Sequence, residues 1–347
     1  MKRTESEISV LFYLGNLCYN YNKREVANMK IVFLETACLG EGINYEMFSQ
    51  LGEMVKYDYT PLDKLSERIE DADIIVLNKI PMNEDTLDGA KNLKLICITA
   101  TGTNIVDFAY TNKAGITVTN VKGYSTPTVA QHTFALYFAL AEQMAYYDNC
   151  VKSKAYSKSE MFVHYGPQFH DLCGQTWGIV GLGDIGKKVA QIAEAFGCKV
   201  QYFSTSGKNN NTDYKQVSFD ELLATSDVIS IHAPLNEATQ DLFDKEAFQK
   251  MKKSAIVLNL GRGPIINEKA LADAINQDEI AGVGLDVFTV EPLPDTSPLL
   301  SVRKKDKLIL TPHIAWASIE ARTRLVNEVF VNMQAFLRGE ERNVVVQ

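Results

Sequence analysis

Three residues in the C-terminal half carry the side chains that a carbonyl reduction needs: Arg262 in NLGRGP, Glu291 in DVFTVEP and His313 in TPHIAW. Reducing a 2-keto acid requires a proton for the developing alkoxide, and histidine carries one near neutral pH. A carboxylate on the other ring nitrogen fixes the tautomer and favours the imidazolium, which makes Glu291 the natural partner of His313. A guanidinium offers a planar fork that matches a substrate carboxylate, a geometry lysine does not copy. Singly, each residue has an ordinary reading: a surface arginine in a glycine turn, a solvated acid before Pro292, a core histidine. Yet each follows one of three consecutive apolar runs, AIVLNL, GVGLDV and LILT, which places all three at one end of a sheet. His232, after DVISI, is the rival acid but lacks a comparably placed carboxylate. His132 reads as a satisfied core residue, and the sequence gives no role to His164 or His170.

A second constellation lies upstream. GIVGLGDIGKKVA places Gly181, Gly183 and Gly186 between an apolar run and a helical pattern. In that setting the first glycine allows a tight turn, the second lets a pyrophosphate approach the backbone, and the third lets helix and strand pack closely. About 20 residues further on, a carboxylate is expected at the end of the next strand to hold the adenosine ribose. Ser204 stands there, followed by Thr205, Ser206 and, nearby, Lys208. Hydroxyls and a cation would accept a 2′-phosphate that a carboxylate repels; alternatively the stretch is a polar turn without selectivity. The cofactor is therefore expected to be NAD or NADP, with NADP at least tolerated.

The elements that must position these groups alternate short apolar runs with helical patterns, which predicts parallel sheets covered on both faces. Strands are expected at 30–34, 54–58, 73–77, 94–99 and 116–119, and in a second block at 177–181, 199–203, 227–232, 255–260, 282–287 and 307–311. A long apolar helix is expected from Pro127 to about Gln143, an ordered loop after it, and helices at 186–196 and 267–277. The last helix, 318–337, has no local partner and is expected to pack back on the first block. The domains are then 29–125 plus 317–347 for substrate, and 126–316 for the dinucleotide.

At 347 residues the chain is too long for one ordinary core. Its 35 basic and 43 acidic residues give a net charge of −8, against a nucleic-acid or anionic-membrane surface. No apolar run approaches a membrane span. Six scattered cysteines without a C-x-x-C pair read as reduced thiols in a cytoplasmic protein, with neither disulfide framework nor metal site. Residues 1–28 have a weak apolar centre and no cleavage site, so a signal peptide is not expected. MKIVFLE from Met29 reads as the native start, with 1–28 an extension outside the fold.

In combination, GLGDIG, HAPLNEAT, NLGRGPIINEKAL, GLDVFTVEPLP and TPHIAWAS, in that order, resemble the D-isomer-specific 2-hydroxyacid dehydrogenase family over nearly everything from Met29 onward. The resemblance implies two Rossmann-like, doubly wound α/β domains with a cleft between them and a homodimer through the nucleotide domain. It also implies that Arg262, Glu291 and His313 are the catalytic set. Asp184 and Ile185 would line the pyrophosphate, and Leu260, Gly261 and Asp286 the nicotinamide amide. Thr101 and Ala233 match other cofactor-contacting positions, while Lys79 and the Ala100–Gly102 backbone match those that meet the substrate carboxylate. Ser204 in place of the usual acid is the principal departure.

A finer likeness, carried by SKAYSKSEMFVHYGP and HIAWAS, is to glycerate dehydrogenases, also called hydroxypyruvate reductases. Trp316 would wall the pocket or merely pack. The absence of a further regulatory domain after FLRGEERNVVV goes with a small, unphosphorylated substrate. Lactate, phosphoglycerate and phosphite specificities stay open, as does a dinucleotide-sensing scaffold. Formate dehydrogenases have glutamine where Glu291 stands. Missing interaction tails and basic patches weigh against the scaffold.

Overall fold

The computed structural model describes residues 29–345, so the extension expected at 1–28 lies outside the described residues. The chain forms two compact units. Unit 1 holds the described residues up to Gly40, Asn44–Val121 and those from Asn327 on; unit 2 holds Glu41–Ile43 and Lys122–Val326.

Unit 1 runs β1 (Lys30–Phe33), β2 (Glu53–Lys56), α1 (Leu62–Ile69), β3 (Ile74–Leu77), α2 (Glu84–Leu87), β4 (Leu95–Ile98), α3 (Phe108–Ala114) and β5 (Thr117–Thr119). Its strands make one parallel sheet, ordered β2-β1-β3-β4-β5. The inner strands IIVL and LICI are buried at every position, which is why they read as continuous apolar runs and do not alternate. Side-chain caps start α2 and α3: Asn83 accepts the Thr86 N–H, and Asp107 that of Tyr110.

Unit 2 runs α4 (Thr126–Ala141), α5 (Met144–Lys152), β6 (Thr176–Val180), α6 (Asp184–Ala195), β7 (Lys199–Phe203), β8 (Lys215–Gln216), α7 (Phe219–Thr225), β9 (Val228–Ile231), α8 (Lys245–Lys250), β10 (Ile256–Asn259), α9 (Glu268–Asn276), β11 (Gly282–Leu285) and β12 (Leu308–Leu310). Its parallel sheet is ordered β12-β11-β10-β9-β6-β7-β8. Separate apolar clusters fill its two faces, one around Phe243, Phe248 and Leu271, the other around Phe134, Tyr137 and Trp177 on α4 and β6. Trp177 is fully buried and its indole N–H donates to Ser230 Oγ at 2.9 Å.

All eleven expected strands are present. The two-residue, exposed β8 was not expected, and the long helix ends earlier than its apolar pattern suggested. At Gln143 the backbone turns left-handed (φ 51) and opens the separate α5. α10 (Ile319–Leu337) passes from unit 2 into unit 1. There Phe330 packs edge-on to Phe48, Asn332 Nδ2 donates to the Asn120 carbonyl, and Val344 bridges antiparallel to Thr119.

Candidate active site

Strand order in unit 2 reverses at β6, which has β7 on one side and β9 on the other, and ligands of doubly wound sheets bind beyond such a point. The glycine turn follows β6 directly. Gly181 is left-handed (φ 91), and a Cβ on it would lie 2.8 Å from Ala233 Cα, so only glycine lets the ends of β6 and β9 meet. A Cβ on Gly186 would come within 2.4 Å of the Gly181 carbonyl oxygen. At Gly183 nothing lies within 4 Å: the backbone is open to an incoming group. Gly183 is the N-cap of α6 and provides no side-chain cap, which leaves first-turn N–H groups for an anion. Exposed Asp184 and half-buried Ile185 begin that turn. These features fit a dinucleotide pyrophosphate.

Ser204 directly follows β7 but is buried, and its Oγ accepts the Asn209 N–H at 3.4 Å. Thr205, Ser206 and Lys208 remain at or near the surface. Sequence reasoning missed Asn209, whose Nδ2 donates to the Leu182 carbonyl at 2.8 Å and ties this polar loop to the glycine turn. It also missed the buried Asn259, which folds the turn after β10 by accepting the Gly261 N–H and donating to the Arg262 carbonyl.

Arg262, Glu291 and His313 all lie in unit 2. Gly263 brings their loops together: a Cβ on it would fall 1.9 Å from the Phe288 carbonyl carbon, so the arginine turn rests directly on the 288–289 backbone. The Phe288 N–H donates to Glu291 Oε1 at 3.1 Å. Glu291 Oε2 then meets His313 Nδ1 at 2.7 Å. His313 itself is left-handed (φ 55), an uncommon state for a residue other than glycine.

Asp286 holds the histidine loop in that shape. Its buried carboxylate accepts the Thr311 hydroxyl at 2.6 Å, the Ile314 N–H at 2.9 Å and the Ala315 N–H at 2.8 Å. His132 Nε2 is 3.1 Å from Thr311 Oγ1, so this histidine is satisfied, as expected, but within the same network. Trp316 is half-buried, against the apolar core and edge-on to Tyr124. Burial pushes the Tyr124 hydroxyl up to about 12, opposed in part by the Arg262 charge.

The rival, His232, differs in kind. Both ring nitrogens are shut from solvent and lack a hydrogen-bond partner, and burial depresses its pKa to about 3. It stays neutral at physiological pH and is a poor proton source. His164 lies on the segment after α5, its Nε2 3.0 Å from the Tyr146 hydroxyl.

Lys79, Ala100, Thr101 and Gly102 belong to unit 1. Lys79 is exposed, and its N–H donates to Glu35 Oε2 at 2.8 Å. The Ala100 carbonyl accepts the Val121 N–H, and the Thr101 hydroxyl donates to the Val121 carbonyl. Among the described residues no group of His, Cys, Asp and Glu is arranged to hold a metal ion, and no helix is long and apolar enough to cross a membrane.

Residues 134–315 match the model of the D-isomer specific 2-hydroxyacid dehydrogenase NAD binding domain. The chain belongs to the D-isomer specific 2-hydroxyacid dehydrogenase family. It is 37% identical to a glycerate dehydrogenase of Methylorubrum extorquens, over 91% of this chain and 98% of that one. It is also 37% identical to a hydroxypyruvate reductase of Blautia hydrogenotrophica, over 91% of this chain and 99% of that one. Among solved structures, the D-lactate dehydrogenase of Aquifex aeolicus complexed with NAD and lactic acid superposes with a TM-score of 0.78 at 28% identity, over 91% and 99% of the two chains. As a 2-hydroxyacid dehydrogenase the chain is an oxidoreductase with a nicotinamide dinucleotide cofactor, and its two-sheet α/β architecture is that of the family.

Proposed function

We propose that the chain reduces a small, unphosphorylated 2-keto acid, hydroxypyruvate or glyoxylate, to the D-2-hydroxy acid. The observation that carries this reading is the 2.7 Å contact between His313 Nδ1 and Glu291 Oε2, in the unit that also holds the glycine turn. The names of the two relatives point to the same substrate class.

When bound, the reduced nicotinamide supplies a hydride to the keto carbon. Glu291 occupies Nδ1 of His313, so Nε2 is the nitrogen left to protonate the substrate oxygen, and the carboxylate offsets the imidazolium charge. Arg262 takes the substrate carboxylate in its fork and polarises the carbonyl. Lys79 and the Ala100–Gly102 backbone in unit 1 are assigned to a substrate carboxylate by the family resemblance alone, and Trp316 limits substrate size. Gly181, Gly183, Asp184, Ile185 and Gly186 hold the pyrophosphate. Ala233, Leu260, Gly261 and Asp286 complete the cofactor site within unit 2, and the family resemblance assigns Thr101 of unit 1 to the cofactor as well. With Ser204 turned inward, no carboxylate repels a 2′-phosphate and Lys208 attracts one, so NADP is accepted beside NAD.

The chain is further proposed to act as a homodimer in the cytoplasm. Phe162 is 92% exposed and Tyr165 84%, apolar surface that a second copy would cover. Cys38, Cys97, Cys150, Cys173 and Cys198 are free thiols, as a reducing compartment leaves them. A monomer mass by sedimentation would overturn the dimer.

The deciding assay follows loss of NADH or NADPH absorbance with hydroxypyruvate, glyoxylate, pyruvate and phosphohydroxypyruvate. Turnover is expected to favour the first two. Preference for pyruvate or the phosphorylated acid would refute the substrate assignment.

A further inference from the structure

The chemistry assigned to unit 1 depends on two turns that expose Lys79 and Thr101, and a buried acid that no motif marks ties them together. Glu35 follows β1 and is 8% exposed. Its Oε2 accepts three consecutive backbone N–H groups, from Asn78 at 2.8 Å, Lys79 at 2.8 Å and Ile80 at 3.3 Å. Three amides converging on one oxygen form an anion-binding concavity within the protein, filled by its own carboxylate. Such charge-assisted bonds are stronger than neutral ones, and an unpaired acid at this depth would be costly. The Glu35 carboxylate thereby imposes a shape on the turn.

The tie continues. Asn78 Nδ2 donates to the Thr99 carbonyl at 2.8 Å and to Thr99 Oγ1 at 3.0 Å, immediately before Ala100. On the far side, Asn120 Nδ2 donates to the Thr101 carbonyl at 2.7 Å. One chain of contacts thus runs from Glu35 through the Lys79 turn to the Ala100–Gly102 turn. Cys38 reports the same charge: its Sγ lies 4.0 Å from Glu35 Oε1, and burial and then the Glu35 carboxylate raise the thiol pKa, with Lys79 opposing.

We propose that Glu35 is a positioning residue that sets the substrate-carboxylate site by pinning the Asn78–Ile80 turn and, through Asn78, the Ala100–Gly102 turn. The inference rests on the proposed roles of Lys79 and of 100–102. It predicts a split between substrate and cofactor parameters that a general loss of stability would not produce.

The test uses the full chain with Glu35→Gln, which keeps the shape and removes the charge. Hydrogen exchange by mass spectrometry is expected to show the 78–80 amides exchanging at least about tenfold faster. KM for the preferred keto acid is expected to rise about tenfold, as loss of charged hydrogen bonds implies, with kcat changed much less and the dissociation constant for NADH unchanged. Unchanged exchange at 78–80, or unchanged KM, overturns the proposal. If Glu35→Gln does not fold, Asn78→Ala cuts only the link to Thr99. It should raise KM and speed exchange around 99–102, and failure to do either is equally fatal. Lys79→Ala separates the two ideas. If it raises KM while Glu35→Gln does not, the positioning role fails and the substrate assignment stands. If Glu35→Gln raises KM and Lys79→Ala does not, the Lys79 assignment fails and Glu35 acts through the 100–102 turn.

Discussion

His313 Nδ1 and Glu291 Oε2 meet at 2.7 Å across 22 residues of chain, although His313 must adopt a left-handed backbone to do so. A conformation of that kind persists where its surroundings over-determine it. Here Asp286 does so by gripping the residues on either side of the histidine.

The first prediction follows from that contact. Removing the proposed acid with His313→Ala should lower kcat by roughly 10²–10⁴-fold, the usual contribution of general acid catalysis, with cofactor affinity kept. Glu291→Gln should also be slow, because an amide neither fixes the tautomer nor offsets the imidazolium. Single-turnover rates with saturating NADH measure both, and a near-normal His313→Ala enzyme would return the role to another group.

His232 gives a prediction about pH. Its folded pKa is about 3, below the ordinary value of 6.5, so between these values the unfolded chain binds a proton that the folded chain refuses. This contribution is intact above about pH 6.5 and declines as pH falls toward 3, so stability should fall with acidification in that window. His232→Gln should flatten the dependence of melting temperature on pH between 6.5 and 4 without moving the pH profile of kcat. An unchanged slope would count against a buried neutral ring.

Gly263 allows a prediction about the scaffold. An added Cβ would lie 1.9 Å from the Phe288 carbonyl carbon, and backbone is the obstacle. Gly263→Ala should therefore cost about 1–3 kcal/mol, as overpacking does, and weaken kcat/KM by displacing Arg262 from the Glu291 loop. Calorimetry on the variant provides the check; an unaltered melting temperature would mean the loops separate without strain.

Cofactor choice is tested at Ser204. At the proposed ribose-binding position, a carboxylate should repel a 2′-phosphate and accept ribose hydroxyls. Ser204→Asp is expected to move the NADH to NADPH ratio of kcat/KM toward NADH by at least about tenfold, or about 1.4 kcal/mol. No movement would make the VQYFSTSGK stretch a bystander.

Much of this architecture is readable in the chain because parallel, doubly covered strands are continuous apolar runs; IIVL and LICI admit little else. Arg262, Glu291 and His313 are legible for a related reason, since each directly follows such a run or lies a few residues beyond it. What escapes is long-range or very short. Lys215–Gln216 is exposed and too brief to leave a pattern. Gln143 ends a helix by a backbone choice that its side chain does not announce. Glu35, Asn209 and Asn259 act through main-chain partners that appear only once the turns are folded. Asp286 was visible through the family resemblance, but not as the clasp of the histidine loop.

The last helix has a consequence for how the molecule is made. Asn332 bonds to Asn120, synthesised 212 residues earlier, and Val344 adds itself to the edge of the first sheet beside Thr119. At synthesis rates of about 5–20 residues per second, the N-terminal strands emerge from the ribosome and wait roughly ten seconds or more for their seal. The dinucleotide-binding half, born second, is the first that can finish folding. Nascent unit 1 spends that interval with an uncovered edge, where premature release or a chaperone's absence would be felt first.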